Sequence, residues 1–436
     1  MKIVIVGGGA GGLELATTLG KKLGRKKRAE IVLVDRNHTH VWKPLLHEVA
    51  SGSLDADMDS VNYRAHAHKS AFSFKLGSLT GLNRDEKYID LAPMCDEDGN
   101  EIMPARTECY DYLVLAIGSV SNDFSVPGVA DNCIFLDRPD QALLFHRRLV
   151  NQFIGLNSEI ARTSSERTLH IAIIGGGATG VELSAELFKA REWFASYGLN
   201  HIGKQHLKVS IIEAGPSLVP ALSERISQAV AAELLNLGVN VCLSTSVANV
   251  TGNTIITSAG ERIEADQIVW AAGVKAPEVL RKFEGLEKNR IDQLRVNEFL
   301  QLSKDRNIFA LGDCAACAIK NEQGEDRWVP PRAQSAHQMA STVGMNIMNL
   351  LENKPLKAFK YQDYGSLVSL SHYTAFGKLM GGLAMGSMNV EGRLARLAYV
   401  SLYRMHQLAI HGWYRTLLVA LASKINHFIR PRLKLH

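Results

Sequence analysis

Gly7, Gly9 and Gly12 stand in G-x-G-x-x-G spacing, and Asp35 follows the third glycine by 23 residues. Gly175, Gly177 and Gly180 repeat that spacing, and Glu213 follows Gly180 by 33 residues. Each set has the parts that hold a pyrophosphate. The first glycine permits a sharp turn, the second lets the backbone approach the ligand, and the third lets a helix pack close on a strand. A helix N-terminus carries about half a positive charge and free N–H groups, so it attracts phosphate. An acid about 20 residues further on accepts ribose hydroxyls. The chemistry implied is dinucleotide binding, twice in one chain.

Other residues could do chemistry beside these turns. Glu182 stands in the first turn of the second helix. An acid there stabilises the helix dipole by ~0.3–1 kcal/mol. A phosphate bound at the same helix end would repel it, so the alternative is a carboxylate that points aside. Gln334 and Gln338 are four apart and share one helix face. Their neutral amides can hydrogen-bond a carbonyl without fixing a charge there, or they form a polar face in solvent. His337, between them, is expected at the surface. Gly312-Asp313 closes the apolar run at 307–311, and Asp313 either binds a ligand or caps a helix. Cys314 and Cys317 form C-x-x-C, readable as a redox dithiol, a metal site or two small helix residues. Zinc would want two more ligands, and none is evident. A thiolate pair could hold Cu(I). Structural cysteines are the expectation, and no metal is assigned.

The elements that must position these groups are legible as apolar runs. Ile3–Val6 reads as a buried parallel strand, Leu13–Leu19 as a helix, and Ile31–Val34 as the strand before Asp35. Tyr112–Gly118 reads as a further strand. The second set repeats the order, with a strand at His170–Ile174, a glycine turn, a helix, Val209–Ile212 before Glu213, and Ile268–Gly273. The expected fold class is α/β: two Rossmann-like dinucleotide-binding domains plus a C-terminal amphipathic helical membrane-anchoring segment. The first domain is expected to be split over 1–125 and 290–350, with the second inserted at 126–289. Residues 351–436 form the C-terminal region, with amphipathic helices from about 391. The chain has 436 residues, 46% hydrophobic, enough for more than one core. Its six cysteines are scattered, which is no disulfide framework and suits a reducing compartment. No secretory signal is read, and no apolar run approaches the ~20 residues of a membrane-spanning helix.

Two dinucleotide units, the second inserted before a distal Gly-Asp, resemble the two-dinucleotide-binding-domain flavoproteins. Within that superfamily, four stretches are similar to the bacterial type II NADH dehydrogenases, single-subunit NADH:quinone oxidoreductases of respiratory chains. They are GGGATGVELSAEL at 175–187, WAAGVKAP at 270–277, GDCAAC at 312–317 and PPRAQSAHQMA at 330–340. The resemblance runs the full length, and A-Q-x-A-x-Q at 333–338 is its most specific motif. It implies FAD on the first unit and NADH on the second. FAD would be held by Gly7, Gly8, Gly9, Ala10, Gly11, Gly12, Asp35, Lys43 and Gly118, with Gly312 and Asp313 at the ribityl side. NADH would be held by Gly175, Gly177, Ala178, Thr179, Gly180, Glu213 and Gly273. A carboxylate at Glu213 repels a 2′-phosphate, which predicts NADH over NADPH. The resemblance places Ala333 and Gln334 beside the flavin ring. It makes Glu182, Gln334 and Gln338 the catalytic set, with Glu182 at the nicotinamide–flavin junction taking part in proton delivery and the two glutamines at the quinone. The implied reaction is hydride transfer from NADH to flavin N5, then two electrons to a membrane quinone, with no proton pumping.

The tail carries the expected partner. Residues 391–436 hold eight Lys or Arg and one acid, Glu391, so they carry +7 of a whole-chain charge of +5. Leu394, Leu397, Ala398, Met405 and Leu408 fall near one helical face, bordered by Arg393, Arg396 and Arg404. Trp413, Leu417, Leu421, Ile425 and Phe428 make a second stripe, bounded by Arg415, Lys424 and Arg430, before the breaker Pro431. Such helices suit an anionic membrane surface. The expectation is a peripheral protein on the cytoplasmic side of the inner (plasma) membrane. The alternatives for the stripes are packing on the body of the protein or a seam with a second copy of the chain, and no nucleic acid is expected as a partner. Two other functions fit the fold: sulfide:quinone oxidoreductase, and a non-enzymatic NAD(H)-binding redox sensor.

Overall fold

A computed structural model describes residues 1–163, 166–194, 198–320, 326–370, 374–380 and 387–429. The chain divides into two compact units. The first comprises 1–42, 60–120 and 274–363, and the second 43–59, 121–273 and 364–436.

The first unit is built on a nine-stranded sheet. Its strand order is Asp326–Trp328, Ala315–Lys320, Leu294–Val296, Gln301–Leu302, Asp305–Ala310, Tyr112–Leu115, Lys2–Val6, Glu30–Asp35 and Ser73–Leu76. From Asp305–Ala310 to Ser73–Leu76 every neighbour is parallel. The strands are near-continuous apolar runs because both faces are covered. Ile3, Val4 and Ile5 are fully buried, as are Leu113, Val114 and Leu115. Helix Ala10–Leu19 packs against helix Ala333–Leu351. The chain leaves Lys2–Val6 through Gly7 at φ +101, a conformation that a side chain rarely adopts. A Cβ on Gly12 would run into the Gly7 carbonyl, so the helix can lie this close to the strand only with glycine there.

The second unit repeats the plan on five parallel strands, ordered Ile134–Phe135, Gln267–Trp270, Leu169–Ile174, Leu207–Ile212 and Asn240–Cys242. The glycine-turn strand again lies between the terminal strand and the acid-bearing strand. Gly175 has φ +114, and a Cβ on Gly180 would meet the Gly175 carbonyl. Helix Ala178–Phe194 follows. The unit also contains helix Pro139–Thr163 and a three-stranded antiparallel sheet of Gly365–Leu370, Thr374–Met380 and Ser387–Glu391. It closes with helices Arg393–His411 and Trp413–Ile429.

The unit boundaries differ from the expected domains: residues 121–125 group with the second unit and 351–363 with the first, and three larger shifts have visible causes. Residues 274–289 group with the first unit because Ala276, Leu280 and Phe283 are buried in its core. Residues 43–59 group with the second because helix Leu46–Ser51 packs on Ala178–Phe194 and Pro139–Thr163. Residues 364–436 do not stand apart, since Gly365–Leu370 also packs on Ala178–Phe194 and on Arg393–His411. Among the described residues no helix is long and apolar enough to cross a membrane.

Candidate functional site

In the first unit, Asp35 ends its strand with the carboxylate under the glycine loop. Its Oδ2 accepts the Gly8 N–H at 2.6 Å and its Oδ1 the Asn37 N–H at 2.8 Å. Burial raises its pKa from the usual carboxylate value, and the two N–H donors oppose that. The Tyr63 hydroxyl donates to the Gly8 carbonyl at 2.7 Å from below, which leaves no room for a Cβ on Gly8. Gly11 is filled on its side by Leu311 and the Ala336 carbonyl. Above the loop there is space. Gly9 begins helix Ala10–Leu19 with no side-chain cap, and a Cβ on Gly9 or on Gly118 would meet nothing within 4 Å. An uncapped helix end that opens on unfilled space beside an acid fits a dinucleotide pyrophosphate and ribose. Asp313 is not a helix cap. It lies in the 3-10 turn Gly312–Cys314, where its Oδ2 accepts the Ser119 hydroxyl at 2.8 Å and its carbonyl accepts Gln293 Nε2 at 2.7 Å.

Helix Ala333–Leu351 presents both glutamines toward 362–363. Gln334 Nε2 donates to Asp363 Oδ1 at 3.2 Å. Gln338 clamps backbone, its Nε2 donating to the Gln362 carbonyl at 2.8 Å and its Oε1 accepting the Gln362 N–H at 2.9 Å. The described Gln338 amide is therefore occupied by protein. His337 is not a plain surface histidine. Its Nδ1 is 2.6 Å from Oε2 of the buried Glu14, whose hydrogen bond raises the imidazole pKa. Cys314 and Cys317 lie on the 3-10 turn and the strand Ala315–Lys320, not on a helix. Both are buried, and burial pushes each thiol up to about 11. They are protonated packing residues, with Cys314 Sγ donating to the Leu115 and Leu311 carbonyls. Among the described residues no cluster of three or more metal-ligating side chains occurs.

In the second unit, Glu213 does for its loop what Asp35 does for the first. Its Oε2 accepts the Gly176 N–H and its Oε1 the Gly215 N–H, both at 2.6 Å. Gly177, Ala178 and Thr179 open the next helix, and a Cβ on Gly177 would again meet nothing within 4 Å. Gly273, at φ +61, has the Phe124 ring against it. Lys43 groups with this unit, where its ammonium is 3.5 Å from Asp137.

Glu182 lies beyond the first turn of helix Ala178–Phe194, which contains no acid, so the dipole reading loses its basis. The carboxyl is buried at 6% exposure. Oε1 accepts the Ser369 N–H at 3.0 Å, and Oε2 is 3.5 Å from His47 Nδ1. Burial pushes its pKa up to about 8, helped by Glu48 and Glu186. His47 is pushed down to about 4, chiefly by its own burial. At neutral pH the two are a carboxylic acid and a neutral imidazole, not an ion pair. Nearby, Glu186 Oε2 accepts the Ser53 hydroxyl at 2.6 Å and pairs with Lys189 at 3.3 Å. His47 belongs to no motif that the sequence displays. The only signal was a His-Glu pair inside the unusual aromatic, basic and apolar run 38–52.

Residues 1–340 match the family described as pyridine nucleotide-disulphide oxidoreductase. The chain is 52% identical over 445 residues to the type II NADH:quinone oxidoreductase of Haemophilus influenzae, across 100% of this chain and 99% of that one. Its fold is similar to NDH2 from Plasmodium falciparum, solved in complex with NADH: TM-score 0.81, 20% identity, 99% of each chain covered. The sulfide:quinone oxidoreductase of Aquifex aeolicus is similar at TM-score 0.72 and 18% identity, with 98% of this chain and 95% of that one covered. At such identities the two structures speak to fold alone. The family match and the full-length relative go further: the chain belongs to the pyridine nucleotide-disulphide oxidoreductases and, among them, to the type II NADH:quinone oxidoreductases.

Proposed function

We propose that this chain passes two electrons from NADH to a membrane quinone by way of FAD, without pumping protons. The observation that carries the reading is the duplicated glycine loop, each copy with an open helix N-terminus and an acid bonded to the loop. In this reading the first unit holds FAD through Gly7–Gly12, Asp35 and Asp313. The second holds NADH through Gly175–Gly180 and Glu213. FAD, when bound, supplies the hydride acceptor and the two-electron donor. The chain's own residues bind, orient and manage protons. Glu213 disfavours NADPH, whose 2′-phosphate would meet a carboxylate. Glu182, which keeps its proton at neutral pH, delivers it for quinone reduction. Gln334 and Gln338 shape the quinone site through the 362–363 segment they hold. The test is spectroscopic. The purified protein is yellow, NADH bleaches it without oxygen, and a short-chain quinone restores the colour. Tight NADH binding without bleaching overturns the reading.

The second part of the proposal is attachment to the cytoplasmic face of an anionic membrane. It is supported by an apolar face on the last two helices. Trp413 is 73% exposed and Leu417 62%, with Leu421, Ile425, Met405 and Leu408 also exposed, while the polar His406, Gln407 and Thr416 are buried. Arg404 and Arg415 lie on the same helices. The side chains of Arg393, Leu394, Arg396, Leu397, Lys424 and Phe428, and residues Arg430 and Pro431, lie outside the described residues. A basic helix with a wet apolar face lies in the interface, where each cation contributes about 1 kcal/mol. Ending the chain near residue 412 keeps helix Arg393–His411, which packs on Gly365–Leu370, and removes the exposed apolar face of Trp413–Ile429; it should weaken binding to anionic vesicles and spare NADH oxidation with a soluble quinone. A full-length protein that floats free of such vesicles at low salt would count against attachment. Recovery of free dimers in its place would give the face to a second copy of the chain.

A further inference from the structure

Quinone reduction by NADH needs one proton from water. The hydride brings two electrons and one hydrogen nucleus, whereas the quinol carries two hydrogens, so NADH, H⁺ and quinone give NAD⁺ and quinol. Glu182 can deliver that proton but is itself buried, and must be recharged. Its Oε2 faces His47 Nδ1 at 3.5 Å, and the other ring nitrogen, Nε2, faces Glu48 Oε1 at 4.0 Å. His47 is 3% exposed, whereas the Glu48 side chain is 26% exposed. Imidazole is the side chain that can take a proton on one nitrogen and release it from the other. His47 and Glu48 adjoin on the short helix Leu46–Ser51, and the nearby Pro44 carbonyl favours the protonated ring.

We propose that Glu48 and His47 form a proton relay that recharges Glu182 from solvent. The inference rests on the reading of Glu182 as the proton donor. When Glu182 has given up its proton, Glu48 takes one from water and passes it to His47 Nε2, so the ring becomes an imidazolium; its Nδ1–H bond then breaks as a Glu182 O–H bond forms, and the neutral ring returns to the Nδ1–H tautomer before the next turnover. Both gaps exceed a hydrogen bond, so each transfer follows a small side-chain approach or passes through one water. The charged groups that act on the ring are Glu186 and Lys189 on Ala178–Phe194; Glu48 faces its Nε2 from its own helix, and Tyr399 on Arg393–His411 lies beside Glu182 and Glu48. Glu186 and Lys189 act on the imidazole in opposite directions and are paired with each other. The low basicity of the ring suits transit, since a strongly basic imidazole would trap the proton.

The experiment compares His47→Gln, Glu48→Gln and Glu182→Gln holoenzymes in stopped flow with a short-chain quinone. His47→Gln should slow the quinone half-reaction by roughly tenfold or more, leave flavin reduction by NADH within about twofold, and recover on addition of free imidazole. A packing role would not respond to imidazole. Exchange of the Glu182 carboxyl in heavy water, followed by its infrared C=O band, should slow in both His47→Gln and Glu48→Gln. If Glu182→Gln slows quinone reduction but His47→Gln and Glu48→Gln change neither rate nor carboxyl exchange, the relay is wrong and Glu182 still stands. If Glu182→Gln changes nothing, the reading beneath it fails.

Discussion

In both glycine-turn units the third glycine sits beneath the first one's carbonyl, and the residue after the first glycine donates its N–H to the acid. They differ in what else holds the loop. The first is fastened from below by Tyr63, a buried phenol bonded to the Gly8 carbonyl and stacked on Phe74 at 5.0 Å. In the second, the space at Gly176 is filled by Leu218 and by Glu213 itself. The acid there is one methylene longer and, as Asp35 does with Asn37, spends its second oxygen two residues on, at Gly215. Both acids hold their loops, and only the first loop is also pinned by a core side chain, an extra fastening that suits a ligand that stays. That contrast is what the proposed division between resident FAD and exchanging NADH requires.

Three substitutions probe the contrast, from the largest effect to the smallest. Gly12→Ala and Gly180→Ala each put a methyl into a backbone carbonyl, but the losses should differ. Gly12→Ala should yield protein almost without bound flavin, whereas Gly180→Ala should stay yellow and lose reduction by NADH, read as bound absorbance and as KM. Matching flavin loss in both variants would erase the distinction. Glu213→Ala comes next. It removes the charge that opposes a 2′-phosphate and frees two loop N–H groups. The NADH-to-NADPH ratio of kcat/KM should fall about tenfold or more, and an unchanged ratio takes Glu213 out of the ribose site. Smallest is Tyr63→Phe, which leaves the Gly8 carbonyl without its buried donor. That should cost about 1–3 kcal/mol and speed flavin release, with NADH affinity unmoved. Calorimetry with and without added FAD measures it.

Much of this arrangement was legible in the sequence because it is local. A glycine turn, the strand before it and the helix after it are consecutive in the chain, within Lys2–Leu19 and Leu169–Phe194, and the acid stands at the end of the next strand or just past it. What was not legible joins distant residues. His47 meets Glu182 across 135 positions, and nothing in the run 38–52 announces a partner. The glutamines show the same limit from the other side. Their spacing correctly puts them on one face, yet the face alone does not say that Gln338 spends its amide on the Gln362 backbone. Cys314 and Cys317 read as a motif through spacing alone, and the change of element between them dissolves it. The start of helix Ala178–Phe194 likewise moved Glu182 out of the first turn, a shift of a few residues that spacing does not resolve.

The last two helices wear their apolar side outward, and that has a consequence for where the protein meets its substrate. In plain buffer such a face drives self-association, so the isolated protein should need detergent or lipid to stay dispersed. On a bilayer the same face confines the molecule to a plane. Under the proposed attachment its encounters with quinone depend on how many copies share an area of membrane, and no longer on how many share a volume of solution.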